Sequence, residues 1–498
     1  MSSQTVIPKK RIQPIDRVAL AVMVVLSLLI AVLLLSGDRT APRVRNFSWQ
    51  DQQIGAEDTA FILTFSRPMN HDSVEANLKI EPPIPGKISW AGRRMAYTPL
   101  FPVPYGLQYQ VNLNGAREQV AGIQGKQMQP FSATFRTRDR AFSYIGVEGQ
   151  EQGRLILYNL TTQKKAILTP PDLVVMDFKP YPDGERILFS ASDRKSQEKG
   201  LLTQQLYTTT TGLSFVSSAD NIEPPGRLDL VLDSKDYQNL KFDLSPDGKT
   251  IVVQRMNRRN PAKFGLWIIQ PKAKPRPLDN QPGGNFVITP DSQAVAVAQG
   301  QGIGILPLNP GAKPLDFLPK YGILLNFAKD GSAAAMVKFN TNYTRSLYLV
   351  TNQGTQKELL RTTGSIQNCE FARDRNTLYC LMTQLIKGEE YKEEPFLAAI
   401  NLKPEPNNSQ EMPLKPLVVL PNQRDIQMSL SPDGLALLFD QIGTRPPSET
   451  DTLRSNDGQA IATGLLWLLP VADTKSLDPL TQVKPEQLLP GFHPRWLP

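Results

Sequence analysis

The sequence predicts an all-β chain. A β-sandwich over 42–138 leads into a seven-bladed β-propeller over 141–498, with six blades as the alternative count, and one N-terminal transmembrane helix precedes both. Three observations predict this. A five-residue turn recurs six times at a blade-like period. Short runs of aromatic and β-branched residues, broken by Pro, Gly and Asn, fill the rest. One uncharged apolar run stands near the start.

At 498 residues the chain is long enough for two or three domains. Its 40% apolar and 20% charged residues are a globular composition. The 43 prolines and 33 glycines favour short strands and turns over long helices.

The first element is "VALAVMVVLSLLIAVLLL" at 18–35, with one serine and no charge, bounded by Arg17 and Asp38. About 20 such residues span a bilayer as a helix. The alternatives are a buried core helix and a cleaved signal peptide, and "LLLSGD" lacks the small-residue cleavage pattern. Residues 18–36 therefore read as an uncleaved signal-anchor. Lys9, Lys10, Arg11 and Arg17 place the 1–17 tail in the cytoplasm and the rest outside the inner membrane, on the periplasmic side. Arg39, Arg43 and Arg45 weaken that asymmetry.

The net charge is +8. The tail supplies four cations and Asp16, and the remainder is spread thinly, without a basic stripe interleaved with aromatics. Nucleic acid is not an expected partner.

The second element covers 42–138. "TAFILTFSRPM" (59–69), "KISWAGRRMAYTP" (87–99), "YGLQYQVNLNG" (105–115) and "FSATFRT" (131–137) alternate apolar and polar residues, as half-buried strands do. About 95 residues of this kind make a sandwich. These segments resemble the bacterial Ig-like domain of S-layer and other envelope proteins, with Tyr105-Gly106 in place of that family's Pro-Gly. The resemblance implies a spacer or adhesive module.

The third element is the repeat. "LSPDG" stands at 244–248 and again at 430–434, with near-copies "YPDGE" (181–185), "ITPDS" (288–292), "AKDGS" (328–332) and "ARDRN" (372–376). Asp caps its own turn and Gly supplies the positive φ of a tight hairpin. The turns centre on Asp183, Asp247, Asp291, Asp330, Asp374 and Asp433, mostly about 40–60 residues apart, as propeller blades require. Seven strand candidates follow, from "LILYNLT" (155–161) to "GLLWLLPV" (464–471). The seventh hairpin forms if "HPRWLP" (493–498) pairs with "AFSYIGV" (141–147), which closes the ring without an exposed edge. The S-P-D-G turn with an "LY/LW" strand behind it resembles TolB-like and WD-repeat-like propellers.

Chemistry is sparse. His71 and His493 are the only histidines, in different domains, so no His cluster forms and no metal or cofactor is expected. There is no G-x-S-x-G elbow. "DGKT" (247–250) and "GQGIG" (300–304) lack a phosphate loop's context, and "GEEYKEEP" (388–395) lacks calcium-ligand spacing. The chain reads as not an enzyme, and no catalytic residue is assigned. Long loops between second and third strands share one face. "RMNRRNPAK" places Arg255, Arg258, Arg259 and Lys263 there, as a solvated loop or as a partner surface. Cys369 and Cys380, the only cysteines, lie symmetrically about the 374/375 turn and should oppose each other within disulfide range. The alternative is two buried free thiols.

The expected function is a non-catalytic, membrane-tethered scaffold of the bacterial cell envelope that docks envelope proteins on a propeller face. The rival is a glycan-binding or carbohydrate-active propeller with its site in the central channel.

Overall fold

The computed structural model describes residues 14–36, 40–120, 125–195, 202–214, 223–278, 283–300, 302–312, 316–386, 388, 392–403, 414–448, 451–471 and 484–498. A helix, Pro14–Ser36, comes first. Its described side chains form an apolar run from Val18 to Val32, all exposed. Among the described residues no helix is long and apolar enough to cross a membrane. The expected single-pass anchor and inner-membrane placement are corrected accordingly.

Nine four-stranded sheets follow, with one short helix, His71–Asn77, inside the first domain. The first two, between Val44 and Thr137, form a β-sandwich. One pairs Val44–Phe47, Phe61–Phe65, Arg94–Pro99 and Gly86–Ala91; the other pairs Gln53–Ile54, Phe131–Thr137, Gln108–Leu113 and Leu78–Glu81. Alternate residues of both sheets meet in one core. Phe61, Leu63 and Phe65 from one sheet face Tyr109, Val111 and Leu113 from the other. Phe47, Trp49, Phe61 and Phe135 pack edge to face at its centre. Such pairs each add about 0.5–1.5 kcal/mol beyond their buried area.

Seven sheets follow in sequence order, each an antiparallel meander of the β-propeller type. Their first strands lie along the axis: Phe492–Trp496, Leu173–Pro180, Tyr237–Leu244, Phe286–Ile288, Ile323–Phe327, Ile366–Phe371 and Met428–Leu430. The last strand of the chain thus completes the first sheet. Arg495 pairs with Ser143 and Trp496 with Phe142. Trp496 is buried, with its ring edge-on to Phe142.

An apolar cluster fills each gap between neighbouring sheets, and the seventh gap joins Leu438 and Leu466 to Phe142 and Ile156. Strand periodicity explains how one strand serves two gaps. Val252 faces the fourth sheet while Val253, one residue on, faces the second.

The repeated turns behave as their chemistry requires. Each of the six aspartates accepts the backbone N–H two residues on. Gly248 and Gly434 take φ of 71° and 72°. Where glycine is missing, Ser292 and Arg375 adopt the same left-handed region, at 61° and 58°. Neighbouring turns touch, through Ser292 Oγ on Asp247 N (3.2 Å) and Arg375 on Asp330 (2.5 Å). They therefore share one face of the ring.

Candidate functional site

The four basic residues read as one surface divide in two. Arg255 does not project. It lies on the strand Ile251–Asn257, where alternation turns it into the sheet. Its guanidinium is buried, 4.4 Å over the Tyr237 ring and 5.0 Å over Trp267, and its Nε donates to Asn239 Oδ1 at 3.0 Å. Burial lowers its pKa. Arg258 reaches back, Nε donating to Ser234 O at 2.7 Å and Nη2 to Leu202 O. Arg259 and Lys263 stand in solvent. Two cations thus fix the loop and two are displayed. "RMNR" read as loop because its strand continues to Asn257, past the point where the apolar pattern stops. Of the acidic 388–395 loop, residues 389–391 lie outside the described residues, and 392–395 belong to the strand Lys392–Asn401.

The same face carries more than charge. The connections from second to third strands leave the ring opposite the turns. On them, or at the strand ends that lead into them, Leu202 is 45% exposed, Phe339 54%, Tyr343 92% and Ile386 38%. Sequence reasoning missed these four because a lone apolar residue near a loop carries no periodic signal.

The sandwich sits on the turn face at the seventh sheet's turn. Asp433, the aspartate of the second "LSPDG", is buried. Its Oδ2 accepts Tyr105 N at 3.1 Å and pairs with Arg140 at 3.1 Å, and its Oδ1 accepts Ser431 Oγ and Leu435 N. The connecting segment is held as well. Asp139 binds Asn159 Nδ2 (2.8 Å) and Arg140 N donates to Thr161 Oγ1 (2.8 Å).

Beside this junction lies a half-open groove of about 410 Å³ between the two domains. The sandwich contributes Pro82, Pro83, Pro85, Pro102 and Pro104 with Phe101 and Leu107. The ring contributes Arg373, Asp374, Tyr379 and Val471 from its sixth and seventh sheets. The wall is chiefly apolar.

A third feature runs along the axis. His493 Nε2 lies 3.1 Å and Arg495 Nη2 3.6 Å from Asp177 Oδ1, and Lys179 pairs with Asp243. Burial works against ionisation of Asp177, but the His493 hydrogen bond and the charges of His493, Arg495 and Lys179 outweigh it and hold the carboxyl well below the usual range. Burial raises Glu370, against Leu430 N and the charges of Arg495 and Lys329. Asp440 is pushed up to about 7 by burial, although its oxygens accept Gln427 N (2.7 Å) and His493 N (2.6 Å). Among the described residues no group of three or more His, Cys, Asp or Glu could hold a metal. Cys369 and Cys380 oppose each other in register and are joined as a disulfide, Cα to Cα 4.1 Å.

No family model matches the sequence, and no curated protein does. Solved structures similar to the chain include TolB from Acinetobacter baumannii, at 11% identity and TM-score 0.37 over 85% of this chain and 83% of that one. A Bacteroides uniformis protein assigned as a 6-phosphogluconolactonase is 12% identical over 72% of this chain and 99% of its own, with TM-score 0.42. Prolyl oligopeptidase B from Galerina marginata is 9% identical over 84% of this chain and 53% of its own, also at 0.42. The likeness is one of fold. Because proteins titled as enzymes stand beside TolB in it, the expectation that this chain is not an enzyme is corrected: the fold does not separate the two classes.

Proposed function

We propose that the chain is a protein-interaction scaffold of the bacterial cell envelope, in which a seven-bladed propeller and an Ig-like sandwich act as one unit. The carrying observation is the division of the ring's two faces. The turn face is covered by the sandwich at one turn, through Asp433, Tyr105 and Arg140. The opposite face displays Leu202, Phe339, Tyr343 and Ile386 with Arg259 and Lys263. These side chains come from the second, fifth and sixth sheets, with the two cations from the third, and offer a partner apolar and charged contacts on one face. Partners are envelope proteins, engaged on this face.

Capture of partners by the purified chain tests this. Phe339→Glu with Tyr343→Glu should abolish a partner's retention, and Arg259→Glu with Lys263→Glu should weaken it in a salt-dependent way. Thermal unfolding should be unchanged, since all four side chains are exposed or half-exposed. A partner held equally by both variants would remove this face from the interface.

A second reading is favoured by the axial groups. Asp177, His493, Arg495 and Lys179 gather a carboxylate, an imidazole and two cations along the axis, where a ligand of the glycan or polar metabolite class would enter.

A further inference from the structure

We infer that the groove between sandwich and ring binds a small amphiphile made of a hydrocarbon body and a single carboxylate, with the carboxylate on Arg373.

The wall dictates the body. Five prolines carry no N–H, so that side of the groove offers a ligand almost no donors. Several carbonyls beside them are already used: Ile84 O accepts Tyr97 Oη, Pro85 O accepts Leu100 N, and Pro104 O accepts Thr137 Oγ1. A peptide backbone laid there would leave its own amides and carbonyls unpaired, which is costly. A hydrocarbon chain has none to satisfy. Phe101 and Leu107, 51% and 43% exposed, stand ready to be covered. The 410 Å³ volume falls within the roughly 300–1,000 Å³ of small-molecule sites.

The one prominent cation dictates the head. Arg373 sits in the sixth sheet's turn and lines the groove half-buried. Among the described residues it forms no hydrogen bond or ion pair, and the nearest carboxylates are committed elsewhere. Glu57 pairs with Arg138, and Asp58 accepts Gly55 N at 2.8 Å. A guanidinium facing an apolar wall without a partner is complementary to a carboxylate, which it binds with two parallel hydrogen bonds. A neighbouring carboxylate limits the ligand to one charge. Asp433 is paired with Arg140, but Asp374 at the groove's edge, bonded among the described residues to Asn376, disfavours a second anion.

Calorimetric titration of the full chain with dodecanoate, decanoate, dodecan-1-ol and dodecyltrimethylammonium tests this. Dodecanoate should bind at least tenfold tighter than dodecanol, and the cation should not compete. Each methylene removed should cost roughly fourfold. Arg373→Gln should erase the preference for carboxylate and leave dodecanol binding unchanged, and Arg373→Lys should keep part of it. Leu107→Arg should block dodecanol and dodecanoate alike. Dodecanoate binding that survives both Arg373→Gln and Leu107→Arg would place the ligand elsewhere, on the Pro14–Ser36 helix for example, and overturn the assignment. Equal affinity for acid and alcohol would overturn it too. None of these outcomes depends on the partner face, which lies on the other side of the ring.

Discussion

Asp247 and Asp433 occupy the same place in identical pentapeptides and have different work. Both accept the N–H two residues on, which is local turn chemistry. Asp247 stays in solvent, whereas Asp433 is covered by the sandwich and bonds Tyr105 N and Arg140. Asp433→Ala removes the acceptor and leaves Arg140 without its ion pair. Charged hydrogen bonds of this kind are worth about 1.5–3 kcal/mol, and Arg140 is partly in water, which screens its share. Denaturant unfolding should show a loss of about 2–3 kcal/mol, or separate transitions for the two domains. Asp247→Ala, which loses an ordinary turn hydrogen bond, should cost about 0.5–1.5 kcal/mol. Equal losses at the two sites would refute the docking role of Asp433.

At the scale of the element, the hairpin Ile366–Phe371 with Thr377–Ile386 carries the chain's one disulfide. Its turn lacks glycine, and Arg375 takes the left-handed conformation in its place. Both cysteines face the fifth sheet, in a cluster with Ala335, Val337 and Leu347. The bond closes a short loop, so the entropy it removes from the unfolded chain is small, just under ~3 kcal/mol in the loop-closure account. Urea unfolding with and without reductant should therefore shift by no more than that amount and remain cooperative. An unshifted midpoint with both thiols demonstrably free would show that the bond stabilises nothing.

Across the whole molecule, integrity depends on one late strand. Phe492–Trp496 is held to the seventh sheet by Asp440 Oδ2 on His493 N and Ser429 Oγ on Trp496 N, and it faces Asp177 through His493 and Arg495. Two carboxyls thus tie ring closure to pH with opposite signs. Asp440 is raised, so its contribution is full below the ordinary carboxylate pKa and is lost as pH rises through about 7. Asp177 is depressed, so its contribution is present above the ordinary value and is lost as pH falls below it. The urea midpoint of the natural chain should fall between pH 5 and pH 8. Asp440→Asn, which cannot titrate, should flatten that fall. Parallel curves for the two proteins would remove Asp440 from the pH dependence.

Local sequence determined the strands, the six turns and the opposition of Cys369 and Cys380, because hairpin chemistry and period-2 alternation act within a few residues of each other. It also determined the pairing of the last strand with Ala141–Ile145, since a ring one strand short must take it from its ends. It could not separate Arg255 from Arg259, because burial between Tyr237 and Trp267 depends on where a strand stops. It read a membrane anchor in the N-terminal apolar run, whereas among the described residues no helix is long and apolar enough to cross a membrane. It gave no hint of Arg373 among prolines more than 250 positions earlier in the chain, or of Asp177 meeting His493. Those encounters join residues hundreds of positions apart. Only the closing of the ring and the seating of the sandwich on its turn face bring them together.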